Sequence, residues 1–304
     1  EFTFLLNNYG LLGIMLFVLV ATTFPMVSEA LWNEKVTVGP PYYNAWMQPL
    51  GLIVFFLMGM GTLLGWKKTS TEALRRAFVA PTTAFFVAVA FHFALGKKLG
   101  FPAVAWSEAI YGGVLGSALK AFNAITPVLG FSLAVFNFVV IVQEFVFLFR
   151  SQQRAGDSGK NFLARFPKPV RPILAFLLFP GWALSLPPTG RRRYGGYIVH
   201  LGIVLMFLGF TGKSWTVDKE TTMAPNQTYA VERLTVKYVG PRMEVDNNKR
   251  MIFADVRVLE DGKEIGQLAP AKFIYKKMPD SPTTEVAMLH SVRDDLYLVV
   301  GSIN

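Results

Sequence analysis

Five stretches of this chain are apolar over about 20 residues each, the length an α-helix needs to cross the hydrocarbon of a bilayer. They run Phe4–Val27, Met47–Trp66, Ala77–Gly96, Pro127–Phe149 and Tyr194–Trp215. Lipid offers no hydrogen bonds to a backbone, so such stretches are restricted to helices that satisfy their own peptide groups. The first two thirds of the chain therefore read as a helical membrane domain. Composition agrees, with 52% hydrophobic and 16% charged residues in 304, against about 25% charged in soluble domains. A sixth apolar segment, Pro172–Leu186, is too short to span and is framed by prolines, which predicts an interfacial or re-entrant piece. Glu1 leads directly into apolar helix without the basic start of a secretory signal. Further residues are expected upstream, and also after the strand-like ending "LYLVVGSIN".

The net charge of +10 has an address. Residues 1–215 hold 18 Lys+Arg against 7 Asp+Glu, whereas residues 216–304 hold 12 against 13. A nucleic-acid-binding domain would concentrate positive charge on a folded soluble face, and this pattern excludes it. Thirteen of the 18 bases fall in the loops after the second and fourth spans, including 150–193, and five on the opposite side. The positive-inside rule puts the former in the cytoplasm and residues 216–304 outside. With no cysteine, the chain has no thiol–disulfide role.

Between the spans, Gly39-Pro40-Pro41 predicts an extended turn in the first outer loop, and Tyr42 and Tyr43 suit the headgroup level. Pro81 predicts a kink near the inner end of the third span. The second outer loop, 97–125, reads as partly helical. After Trp215 the period changes from helical to alternating. "YAVERLTVKYV" alternates with a slip, while Ile252, Ala254, Val256 and Val258 share one face of a strand that ends at Asp261-Gly262, a hairpin-turn pair. The reading is two domains: transmembrane helices over 1–215, and a small antiparallel β-domain over 216–304.

Chemistry-bearing residues are few, and the three histidines carry most of the question. His290 sits in a strand pattern with no ligand-like neighbour in sequence. His92 lies five residues before Lys97, near the outer membrane interface, where water and headgroups can satisfy it. His200, in "RRRYGGYIVHLG", lies seven residues past Arg193, about 10 Å into the membrane at 1.5 Å per residue. Ionisable groups at that depth are expensive and face a partner or a cavity. Two readings stand: an interhelical hydrogen bond, or an axial ligand to a buried haem iron. For the second, Gly196 lies one turn away on the same face and leaves room for a flat macrocycle. Arg191, Arg192 and Arg193 are placed to meet haem propionates, although membrane topology alone also accounts for them. His92 and His200 differ in depth by about 12 Å, too far to share an iron. Glu144, near the inner end of the fourth span, reads as a snorkelling residue or an arginine's partner.

Several of these motifs occur together in an order that resembles a known family. "EFTFLLNN", "EKVTVGPPYYN" with "PLGL", "VQEF", "RRRYGGYIVHLG" and "TTEVAMLHSVRDDLYLVVG" resemble the C-terminal half of CcmF. CcmF and the related NrfE-type proteins are the haem lyases of bacterial cytochrome c maturation. The resemblance implies a bacterial cytoplasmic-membrane protein with an integral b-type haem and an outer β-domain. It implies work with the haem chaperone CcmE, with CcmH and with apocytochrome c, to whose Cys-x-x-Cys-His motif haem is attached. It implies that His200 is one axial ligand and that the other lies in an upstream span outside this sequence. The family's tryptophan-rich segment is likewise outside it. Some members carry an outer histidine where this chain has Ser28 or Glu29. The loop Pro40–Asn44 and the β-domain are candidates for docking the partners. Rival expectations are a cofactor-free membrane scaffold subunit, or a transporter with an extracytoplasmic domain.

Overall fold

The computed structural model describes residues 2–64, 70–106, 112–157, 166–167, 169–170, 188–291 and 294–301. The short apolar segment Pro172–Leu186 lies outside the described residues, as does much of the basic loop before it. The chain divides into two compact units, Glu1–Thr216 and Val217–Asn304.

The first unit is helical. In chain order its helices are α1 (Phe2–Trp32), α2 (Pro40–Leu63), α3 (Thr71–Leu95), α4 (Gly113–Ala124), α5 (Thr126–Asp157) and α6 (Pro188–Gly212). All but α4 are long and apolar enough to cross a membrane. The chain is thus a polytopic α-helical membrane protein. α5 is its centre: it packs against α2, α3, α4 and α6, while α1 leans on α2.

Gly39-Pro40-Pro41 is not the extended turn that its prolines suggest. Gly39 is the extended N-cap of α2 and Pro40 its first helical residue. Proline is at home there, because its missing N–H would go unbonded in any first turn and its fixed φ is already helical. Tyr42 and Tyr43 consequently sit in the first turn of α2, where Tyr42 stacks on Phe17 of α1 with ring centroids 5.5 Å apart. Ser28 is wholly buried; its hydroxyl donates to Pro25 O and accepts from Val36 N, both at 3.0 Å, which ties down the return from α1. α3 runs through Pro81 as one helix, and Ser70 caps its start by accepting from Ala73 N.

Small residues let helices approach α5 closely. A Cβ on Gly59 of α2 would lie 2.5 Å from Asn137 Oδ1 and 2.8 Å from the Phe136 ring. The buried Asn137 amide donates to Phe55 O at 3.1 Å and to Leu133 O at 2.9 Å. In hydrocarbon such a bond holds neighbouring helices together, because the amide has few other partners.

The second unit is an antiparallel β-domain. β1 (Thr228–Val231), β2 (Leu234–Val245), β3 (Lys249–Glu260), β5 (Ala271–Tyr275) and β6 (Met278–Glu285) pair in that order, with β4 (Lys263–Leu268) also on β3. β7 (Ala287–His290) and β8 (Asp295–Leu298) form a two-stranded sheet. Leu296 joins Leu234, Val236, Val256 and Val258 in one buried cluster, with Leu289 and Leu298 packed against it. The slip in "YAVERLTVKYV" is a chain reversal: Val231 pairs with Leu234, and Glu232 turns the corner at φ 52°. Asp261-Gly262 closes the β3–β4 hairpin with both φ angles positive, 50° and 79°, as its residues predict. The edge strand β6 carries Pro279 and Pro282, which deny a foreign strand part of its hydrogen-bond ladder.

Candidate functional site

The seam between α5 and α6 carries most of the chemistry of the membrane unit. At one end Gly130 lets Thr211 lie so close that a Cβ would come 2.5 Å from the threonine hydroxyl. Further along, Phe207 of α6 stacks on Phe55 of α2, centroids 4.0 Å apart and planes within 6°. Near the other end is a closed polar triangle. Arg193 Nη2 donates to Glu144 Oε2 at 2.7 Å, the Tyr197 hydroxyl donates to the same oxygen at 3.1 Å, and Arg193 Nε donates to the Tyr197 oxygen at 3.0 Å. Each group thus gives and accepts what its chemistry allows. Around the triangle, Tyr194, Tyr197 and Phe145 pack edge to face or tilted.

His200 sits between these two anchors, one turn beyond Tyr197. It is half-buried, and its Nδ1 is buried with no hydrogen-bond partner among the described residues. The helix beside it is bare: a Cβ built on Gly195, Gly196 or Gly202 meets nothing within 4 Å. An imidazole whose buried nitrogen lacks a partner, next to an open glycine flank, has the donor chemistry and the room that an axial haem ligand needs. Those observations fit a haem.

The three arginines part company. Arg193 is already committed to Glu144 and Tyr197, which matches the expectation of Glu144 as an arginine's partner and removes Arg193 as a spare cation. Arg191 and Arg192 are exposed on the first turns of α6.

His92 is the contrary case. Only 3% exposed, it places Nε2 at 2.8 Å from Phe101 O. A carbonyl oxygen only accepts, so Nε2 carries a proton; Nδ1 is buried without a partner among the described residues. Its ring abuts Phe131 and Trp215, centroids 5.2 and 5.9 Å away. Any side chain on Gly96 would strike that ring and Phe101 O. His92 therefore buttonholes the 3₁₀ turn Gly96–Leu99 and the segment after it onto α3. Trp215 also measures depth: it is 15 residues past His200, so His92 lies about 22 Å further along α6. No single iron joins the two histidines.

His290 is exposed and pairs with Asp295 across the β7–β8 hairpin, Nδ1 to Oδ1 3.1 Å. Ser28 is spent on backbone hydrogen bonds, and Glu29 is exposed. Among the described residues no three His, Cys, Asp or Glu side chains cluster as a metal site. The residue that sequence reasoning missed is Tyr197, buried to 8% exposure. Its phenol is half of what holds Glu144, and only its place one turn from Arg193 hints at that.

Comparison with known proteins gives a consistent result. Residues 214–304 match the family model described as the CcmF C-terminal β-sandwich. Over 296 residues, 97% of this chain and 37% of the relative, the sequence is 26% identical to the cytochrome c-type biogenesis protein CcmF of Pseudomonas fluorescens. It is 27% identical to the cytochrome c-type biogenesis protein CycK of Bradyrhizobium diazoefficiens, covering 100% of this chain and 39% of that one. A solved structure titled cytochrome c heme lyase CcmF superimposes with a TM-score of 0.55 over 95% of this chain and 38% of its own, at 19% identity. That likeness establishes the shared fold. The chain spans under two fifths of the length of the relatives it matches.

Proposed function

We propose that this chain, which resembles the C-terminal part of CcmF along its whole length and carries that family's β-sandwich, works in cytochrome c maturation as part of a haem lyase. In this reading it holds an integral b-type haem through His200 and helps pass substrate haem to the Cys-x-x-Cys-His motif of an apocytochrome c. The observation that carries it is local: a deep histidine with no hydrogen-bond partner among the described residues, one turn from Gly196, where the helix face is open. The full-length similarity to proteins named for cytochrome c-type biogenesis supports the pathway.

The residues have separate tasks. His200 supplies a neutral imidazole; Gly195 and Gly196 keep side chains out of the macrocycle's way. Arg191 and Arg192 are the candidates for its propionates, with guanidinium forks that suit carboxylates. Bound there, a haem supplies one-electron chemistry, suited to keeping delivered haem iron reduced. His92, at a different depth, would not share that iron. On the charge pattern of the loops, residues 217–304 lie outside the cytoplasm. The turn at Pro40–Asn44 and the β-sandwich are then available to CcmE, CcmH and the apocytochrome.

Deleting the gene in its own host tests the pathway. Covalently bound haem in the c-type cytochromes, read by peroxidase staining after denaturing electrophoresis, should be lost and should return with the intact gene. Normal staining in the deletion strain would refute the assignment.

A further inference from the structure

We infer that Glu144 is a positioning residue: it sets the rotation of α6 about its own axis and thereby aims His200. The effect on iron ligation rests on the haem reading just proposed; the effect on the helix does not.

Three observations converge. First, Glu144 is the only carboxylate within the five apolar stretches, and its side chain is 18% exposed. A carboxylate kept there needs its charge and lone pairs satisfied, which ties its position to whatever satisfies it. Second, what satisfies it comes from α6: one oxygen of Glu144 accepts from both Arg193 and Tyr197, residues one helical turn apart. Two donors on one face of a helix, held at a point on its neighbour, fix the rotation of the helix as a single contact could not. Third, the next part of α6 meets the core through Leu201 and Ile203, partly buried aliphatic side chains without the directionality of the triangle. Gly195, Gly196 and Gly202 add no ridge to that packing, and nothing lies within 4 Å of where a side chain would start. Fully buried packing resumes with Val204, and Phe207 stacks on Phe55. His200 lies three residues past Tyr197 and seven before Phe207, nearer the polar anchor.

The triangle also bears on charge. With Glu144 as its counter-ion, Arg193 adds little net positive potential next to the site. Arg192, exposed on the first turns of α6, is then a cation that propionates could use.

The test uses the intact protein with two independent readouts. The sequence contains no cysteine, so Gly196→Cys provides a single thiol that can be labelled in haem-depleted protein. With Glu144→Ala its labelling rate should change by roughly tenfold, in line with losing charge-assisted hydrogen bonds. Glu144→Gln, which still accepts from Tyr197, should restore most of the parent rate, and Tyr197→Phe should fall between. The second readout is the low-spin ferric signal in electron paramagnetic resonance of haem-loaded protein. It should broaden or shift to high spin in Glu144→Ala and recover in Glu144→Gln. Should Glu144→Ala not accumulate, Tyr197→Phe and Glu144→Gln carry the comparison, since each keeps part of the triangle. Parent-like labelling in both of these, or in Glu144→Ala, overturns the inference. Altered labelling in a protein that binds no haem would sustain the positioning role while sinking the haem reading.

Discussion

The two ends of the helical unit treat a membrane histidine in opposite ways. At one end His92 is enclosed: one nitrogen is spent on Phe101 O, and the ring is walled by Phe131 and Trp215, so that even Gly96 has no room for a methyl group. Toward the other end His200 is anchored on either side, with Gly196 open beside it, and where His92 leaves only Nδ1 unpartnered, His200 has no hydrogen bond at either nitrogen among the described residues. Both rings are expensive to keep in lipid. At His92 the return is visible as a fastened loop. At His200 no such return is present among the described residues, which is the physical ground for assigning it a ligand.

The sharpest way to break this contrast is to fill the open flank. Gly196→Leu should remove most of the bound haem, read by pyridine haemochrome, while leaving the apparent melting temperature close to the parent's, because a Cβ there meets nothing and leucine favours helix by about 0.8 kcal/mol over glycine. A large loss of stability would mean that the flank is packed and the contrast false. Next in size, His92→Ala should leave haem content intact and cost about 2–4 kcal/mol, the toll of a cavity plus an unmet carbonyl. Thermal unfolding in detergent should show this loss. Haem loss from properly folded His92→Ala would put that residue in the site. Gly130→Leu should cost about 1–3 kcal/mol by overpacking against Thr211, again with haem retained in the folded fraction. Smallest, Ser28→Ala should cost about 1 kcal/mol by leaving Val36 N without its acceptor. A larger effect on haem delivery than on stability would return position 28 to the functional residues.

The sequence carries the fold unevenly, for identifiable reasons. Apolar length alone marks the five spans, since the bilayer imposes it, but not where helices stop: α1 continues to Trp32 and α5 to Asp157, past their apolar cores, because polar residues extend a helix freely once it reaches water. Gly39-Pro40-Pro41 reads two ways, since the φ that suits proline for a turn also suits a first helical turn. In the β-domain, Asp261-Gly262 announces its hairpin because those residues tolerate positive φ. Glu232-Arg233 makes an equally tight reversal with no such signal, and passes for a slip in one strand. At the site, His200 stands out by its depth and Gly196 by its spacing. The pairing of Glu144 with an arginine follows from charge, but Tyr197 and the choice of Arg193 over its neighbours depend on how α5 and α6 face each other, 53 residues apart in the chain for Tyr197 and Glu144. No local pattern encodes that.

The account turns on His200 being the histidine that binds iron, and a dithionite-reduced absorption spectrum of the purified intact protein tests this most directly, alongside His200→Ala and His92→Ala. The prediction is sharp b-type bands in the parent and in folded His92→Ala, lost or collapsed in His200→Ala. Bands that survive His200→Ala, or a parent without haem, would contradict it and leave α6 a structural helix.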